Sequence, residues 1–177
     1  MMASVKVGMN CIAPNEDVAY FMSPKLPLPD DRVYALVEND NGGLFRSDDA
    51  GATWRKANPD DQPIGGGPAY YYGQIIIDPN DPDVVHVLSA ASWGTRDGGE
   101  TWLRRPLGFG GDDHALWIDP DNSDHLFIGG DGGVYESWDY GESWRHVRNL
   151  PTTQFYRATP DNDTPFYNVC AGTQDNF

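Results

Sequence analysis

The sequence predicts an all-β chain built from repeated antiparallel sheets, and three observations predict it. An eight-residue pattern, Ser/Thr-x-Asp-x-Gly-x-Ser/Thr-Trp, occurs at 47–54, 95–102 and 137–144. Its aspartates, Asp49, Asp97 and Asp139, recur at a spacing of roughly 40–50 residues, the period of a repeat architecture. No stretch carries a sustained helical period, whereas β-branched and aromatic runs alternate with Asp-, Gly- and Pro-rich turns.

The elements follow in order along the chain. Residues 1–30 read as an irregular N-terminal segment with a first strand between Val5 and Ala13, and the Pro-rich stretch 22–29 has no place in the repeat. Residues 31–60 supply the rest of a first unit, with strands at Val33 to Val37, at Gly43 to Arg46 and from Trp54 onward. Residues 68–106 form a second unit, in which Ile75-Ile76-Ile77 leads through an Asp78-Pro79 turn to Val84 to Leu88. Residues 110–149 form a third, in which Leu116-Trp117-Ile118 leads through Asp119-Pro120 to Leu126-Phe127-Ile128. Residues 152–177 begin a fourth, with strands from Gln154 to Ala158 and from Phe166 to Cys170. A unit therefore reads strand, Asp-Pro turn, strand, Gly-rich turn, strand, eight-residue turn, strand. That four-stranded meander is the blade of a β-propeller, so the expected fold is a partial β-propeller of three blades plus the start of another.

Each residue of the pattern has work in a tight turn. Asp49, Asp97 and Asp139 can accept backbone N–H groups a few residues on. Gly51, Gly99 and Gly141 supply a positive φ. The hydroxyls of Ser47, Thr53, Thr95, Thr101, Ser137 and Ser143 satisfy neighbouring backbone groups. Trp54, Trp102 and Trp144 open the next strand and anchor the turn in apolar packing. The pattern resembles the Asp-box, or bacterial neuraminidase repeat, of propeller blades in sialidases, family 74 glycoside hydrolases, sortilin-type receptors and a photosystem II assembly factor. The resemblance implies that the box links the third and fourth strands at the outer rim, away from ligands, and that its aspartates are structural.

Composition bounds the partners. With 27 Asp and Glu against 12 Lys and Arg, the net charge is −15, which argues against nucleic acid and anionic membranes. No apolar segment is long enough to span a bilayer, and no signal peptide opens the chain. Closed propellers have about four to eight blades. A bare blade face of roughly 500 Å² forgoes on the order of 12 kcal/mol of burial, comparable with a whole domain's stability of about 5–15 kcal/mol. Further copies of the chain, or missing blades, are therefore expected to complete the ring. Cys11 and Cys170 lie near the two ends, and read either as a disulfide between first and last blades or as two buried thiols.

The chemistry is expected in the Gly-rich stretches at the inner ends of strands: 110–117, 129–134 and 172–176. With Gln154-Phe155-Tyr156 they resemble long bacterial proteins with sortilin-like or family 74-like propellers, which implies an extracellular or periplasmic parent. Family 74 enzymes invert at two facing aspartates, and inversion needs an acid and a base about 6.5–9.5 Å apart. Asp131 is the candidate for one and Asp113, or Asp112, for the other, against the reading of Asp131 as a structural turn aspartate flanked by glycines. Asp112, Asp113 and His114 combine hard oxygen donors with a nitrogen, and Ca²⁺ is the cation their oxygens would take. His114 reads as a general base or ligand, or as a histidine holding its loop by hydrogen bonds. His86, His125 and His146 read as packing or rim residues. The aromatic groups Tyr70-Tyr71-Tyr72, Trp93, Phe109 and Trp117 could stack on sugar rings or build blade cores. No other cofactor is expected. Two functions remain open: a non-catalytic propeller module binding carbohydrate or protein, and part of a xyloglucanase-like inverting hydrolase.

Overall fold

The computed structural model describes residues 11–12, 18–22, 31–38, 40–65, 73–104, 112–150 and 155–173, and all of their regular structure is β-strand. Three antiparallel sheets follow one another in the compact unit formed by Met1–Val147. The first contains β1 (Cys11–Ile12), β2 (Val18–Met22), β3 (Val33–Glu38), β4 (Gly43–Ser47) and β5 (Arg55–Lys56), paired in chain order. The second contains β6 (Gln74–Ile77), β7 (Val85–Leu88), β8 (Trp93–Thr95) and β9 (Leu103–Arg104). The third contains β10 (Asp113–Asp119), β11 (Asn122–Gly130), β12 (Gly133–Ser137) and β13 (Arg145–His146).

The first sheet differs from the sequence expectation at its start. β1 falls inside the expected 5–13 window, but β2 takes the first place of the repeated four-stranded order, pairing Tyr20 with Leu36. Val18 to Met22 is an aromatic and β-branched run, the composition a pleated strand favours. It carries Met22, which the sequence assigned to the Pro-rich stretch; residues 23–29 lie outside the described residues.

Alternation along the strands builds the core. Val85 and Val87 on one face of β7 join Tyr34, Leu36, Leu44, Ala57, Ile64, Ile75, Trp93 and Trp102 in a cluster shared with the first sheet. Leu88, on the other face, packs with Ile128, Tyr135, Leu116 and Trp144 of the third-sheet region, and with Ile76. Every residue of β7 is therefore buried, the pattern of a strand covered on both sides. Burying one such Leu or Val side chain is worth roughly 1.5–3 kcal/mol.

Polar links join neighbouring sheets in the same serial order. Arg32 Nη1 donates to Asp83 Oδ1 at 2.6 Å, and Trp102 Nε1 donates to the Ala57 carbonyl at 2.6 Å. Arg55 pairs with Glu100 at 3.1 Å, and Arg96 with Glu142 at 3.5 Å. Ser123 Oγ donates to Asp78 Oδ1 at 2.8 Å, and Asn80 Nδ2 donates to Ser123 Oγ at 2.9 Å.

The second unit, Arg148–Phe177, holds the hairpin of β14 (Phe155–Pro160) and β15 (Val169–Thr173). Its turn is tied by Asp161, which accepts the Asn168 backbone N–H at 3.0 Å and the Asn168 side-chain amide at 2.7 Å. These bonds hold Phe166, Tyr167 and Asn168 in the turn, so the strand expected from Phe166 begins at Val169 instead. Cys170 is a free, exposed thiol, not a buried one, because its hairpin leaves all of β15 open to solvent. The Cys11 side chain lies outside the described residues.

Candidate functional site

The three eight-residue turns fold alike, bond for bond. In the first, Ser47 Oγ donates to Asp49 Oδ1 (2.7 Å) and accepts the Gly51 N–H (2.8 Å). Asp49 Oδ1 accepts the Thr53 N–H (2.7 Å), Asp49 Oδ2 accepts the Thr53 hydroxyl (2.6 Å), and Trp54 Nε1 donates to Gly51 O (3.0 Å). Thr95, Asp97, Gly99, Thr101 and Trp102 repeat the set, as do Ser137, Asp139, Gly141, Ser143 and Trp144. All three carboxyls are pulled down to about 2. At Asp49 and Asp139 the Thr53 and Ser143 hydroxyls lead; at Asp97 burial is the largest single effect and opposes the shift, and the bonds from the Thr101 hydroxyl and N–H, the Thr95 hydroxyl and the Glu100 N–H together outweigh it. Hydrogen bonds to the ionised form lower a carboxyl's pKa.

Two details were not readable from the pattern. The residue before the glycine is also left-handed: Ala50 at φ 56°, Gly98 at 68° and Tyr140 at 59°. Trp102 is buried, but Trp54 is 40% exposed, so it is not the apolar anchor expected. Among the described residues no sheet precedes the first one to cover it, whereas Trp102 packs on Ala57 of the sheet before its own.

Strand register places the candidate chemistry at the opposite end of the third sheet. The turns at 119–122 and 138–144 share one end; Asp112, Asp113 and the β11–β12 turn at Asp131-Gly132 share the other. Asp113 pairs with Gly130, immediately before Asp131, and a register shift between Asp113 and Ala115 bulges the strand at His114. A Cβ on Gly130 would lie 2.7 Å from the Asp112 carbonyl, so only glycine lets the two segments approach this closely. His114 Nε2 lies 3.7 Å from Asp131 Oδ1, with Asp131 half exposed, and Gln74 Nε2 of the second sheet donates to the His114 carbonyl at 2.6 Å.

Asp131 thus sits in a hairpin turn rather than within an inner strand, and its neighbour is His114. A half-open acid–imidazole pair can hold a sugar hydroxyl or pass a proton to one. Among the described residues Asp112, Asp113 and His114 form no group that could hold a metal ion; Asp112 stands before β10 at φ 56°, and the bulge at His114 breaks the strand's alternation there. Trp93 belongs to the core, and Trp117 is 48% exposed. Tyr70, Tyr71, Tyr72, Phe109 and residues 110–111, 154 and 174–176 lie outside the described residues, as does the Tyr156 side chain.

Sequence reasoning missed a second polar cluster. His125 Nδ1 lies 3.2 Å from Asp119 Oδ2, and its Nε2 lies 3.2 Å from Glu136 Oε1. Asp119 is lowered by the Asp121 N–H and then by His125, and Glu136 by Arg145, whose Nη2 bonds it. The ring lies flat on Trp138, centroids 3.7 Å apart and planes 8° from parallel.

No family model matches the chain. The xyloglucanase Xgh74A of Acetivibrio thermocellus is 30% identical over 156 residues, covering 75% of this chain and 18% of that protein. Over this region the chain is similar to xyloglucanases. It spans less than a fifth of that relative's length. A GH74 enzyme from Niastella koreensis superposes with a TM-score of 0.61 at 20% identity, over 82% of this chain and 25% of its own. The GH74 xyloglucanase of Xanthomonas campestris gives 0.58 at 21%, over 76% and 24%. With four-stranded antiparallel sheets in series and these neighbours, the fold is all-β and part of a β-propeller.

Proposed function

We propose that this chain is an Asp-box propeller module of a longer extracellular or periplasmic protein, which binds or scaffolds a polysaccharide of the xyloglucan class without cleaving it. The observation that carries this reading is the open end of the third sheet. There strand register sets Asp112 and Asp113 beside the Asp131 turn, at the end of the sheet away from the eight-residue turn, and His114 Nε2 approaches Asp131 Oδ1 to 3.7 Å. Similarity to xyloglucanases supports the ligand class. Further blades, or copies of the chain, complete the ring around this end.

The same similarity favours a second reading, in which Asp131 and Asp113 are the acid and base of an inverting hydrolase. Inversion requires both carboxyls to flank one glycosidic bond with water between them. Xyloglucan oligosaccharides titrated into the chain by calorimetry, beside a reducing-end assay, separate the two. The binding reading expects heat of association, no new reducing ends, and weaker binding in Asp131→Asn. Reducing ends that vanish in Asp131→Asn would establish the hydrolase, and absence of both signals would discard the carbohydrate reading.

A further inference from the structure

His125 has a carboxylate at each ring nitrogen, Asp119 Oδ2 and Glu136 Oε1, both at 3.2 Å. An ionised carboxylate only accepts hydrogen bonds, and a neutral imidazole carries a single N–H. Only the doubly protonated ring can donate to both acids at once. Three aromatic groups crowd the ring: Trp138 stacks on one face, and Phe127 and Trp117 meet it at steep angles with centroids 5.0 Å and 5.7 Å away. A cation over an indole face gains a further attraction that a neutral ring lacks.

The cluster draws on every strand of the third sheet. The charged groups around His125 of β11 are Asp119 of β10 and Glu136 of β12, with Arg145 of β13 on the far side of Glu136. Trp138 directly follows β12, at the second position of the third eight-residue turn, and is 61% exposed, while the His125 side chain is 12% exposed. We infer that His125 is a proton-operated clasp: as imidazolium it ties β10 to β12 and holds the Trp138 indole flat against the sheet. When the ring loses its proton, a bare nitrogen faces a carboxylate, and the repulsion together with the lost cation–π attraction frees the indole. At acid pH the clasp holds until Asp119 and Glu136 themselves protonate. A ligand or sheet meeting Trp117 and Trp138 therefore meets two different surfaces on the two sides of the histidine's titration.

The test uses the full chain with ¹⁵N-labelled histidine, followed by long-range ¹H–¹⁵N spectra between about pH 5 and pH 9, the range histidines cross. The Trp138 indole signal is assigned by its loss in Trp138→Phe. Near the acid end both His125 nitrogens should be protonated, and the Trp138 signal should move over the same pH interval in which His125 loses its proton. In Glu136→Gln the amide can turn to donate to the bare nitrogen, which removes the repulsion and leaves only the cation–π part, so Trp138's pH response should shrink while the backbone spectrum stays native. A neutral His125 tautomer at the acid end overturns the inference. So does a Trp138 signal that stays fixed as His125 titrates, or one that keeps its full response in a folded Glu136→Gln. Should that variant not fold, the two wild-type measurements decide.

Discussion

Ser123 of one sheet donates its hydroxyl proton to Asp78 Oδ1 of the sheet before it, at 2.8 Å, with both residues buried. The other oxygen of Asp78 is buried without a hydrogen-bond partner among the described residues. Removing the hydroxyl leaves that carboxyl still poorer in donors, at a cost of about 1–3 kcal/mol. Ser123→Ala should lower the urea midpoint accordingly with an unchanged slope, and an unaltered midpoint would show that the bond contributes nothing.

Two tryptophans of the repeated turn are expected to differ in weight. Trp102 is 6% exposed and its indole N–H reaches the Ala57 carbonyl of the preceding sheet; Trp54 is 40% exposed and its indole N–H bonds within its own turn. Truncating a buried aromatic to alanine costs about 3–5 kcal/mol. Trp102→Ala should approach that loss and Trp54→Ala should cost clearly less. Paired denaturant titrations compare them, and equal losses would contradict the burial argument.

Gly51 and Gly99 hold equivalent positions, at φ 91° and 99°. A Cβ at Gly51 would meet only Trp54 Cζ2, at an ordinary 3.6 Å, but at Gly99 it would lie 2.9 Å from the Ala57 carbonyl oxygen. Strain alone puts Gly51→Ala at about 1 kcal/mol, and Gly99→Ala should exceed it because backbone has to shift. Thermal melts should rank the two variants in that order.

Asp49, Asp97 and Asp139 titrate in the folded chain at about 2, below the roughly 3.9 of a free aspartate. A depressed folded value means stabilisation that is complete above the unfolded value and is lost as pH falls through the folded one. Melting temperature should therefore hold steady down to about pH 4.5 and drop between about pH 4 and pH 2. Asp97→Asn should make that acid slope shallower, and a slope left unaltered would remove the turns as its source.

Much of this was legible because its causes are local. Asp49 finds Ser47, Gly51 and Thr53 within four residues, so the turn could be written down from the pattern, and Ile75 to Ile77 or Leu126 to Ile128 declare their strands by composition. What escaped depends on register or on a neighbouring sheet. His125 meets Asp119 and Glu136 only because β10, β11 and β12 align as they do. Ser123 meets Asp78 only across two sheets, and no local spacing announces either. Asp131 was singled out among the glycines, but its neighbour His114 is set by a bulge that a string of letters does not display.

Among the described residues, every link between sheets joins a sheet to the one directly before or after it: Arg55 to Glu100, Arg96 to Glu142, Ser123 to Asp78. Cohesion of this kind behaves like a row of couplings, each felt at its own junction. A lesion at Trp102 and another at Ser123 should then add without synergy, and evolution can lengthen, shorten or edit such a row one link at a time.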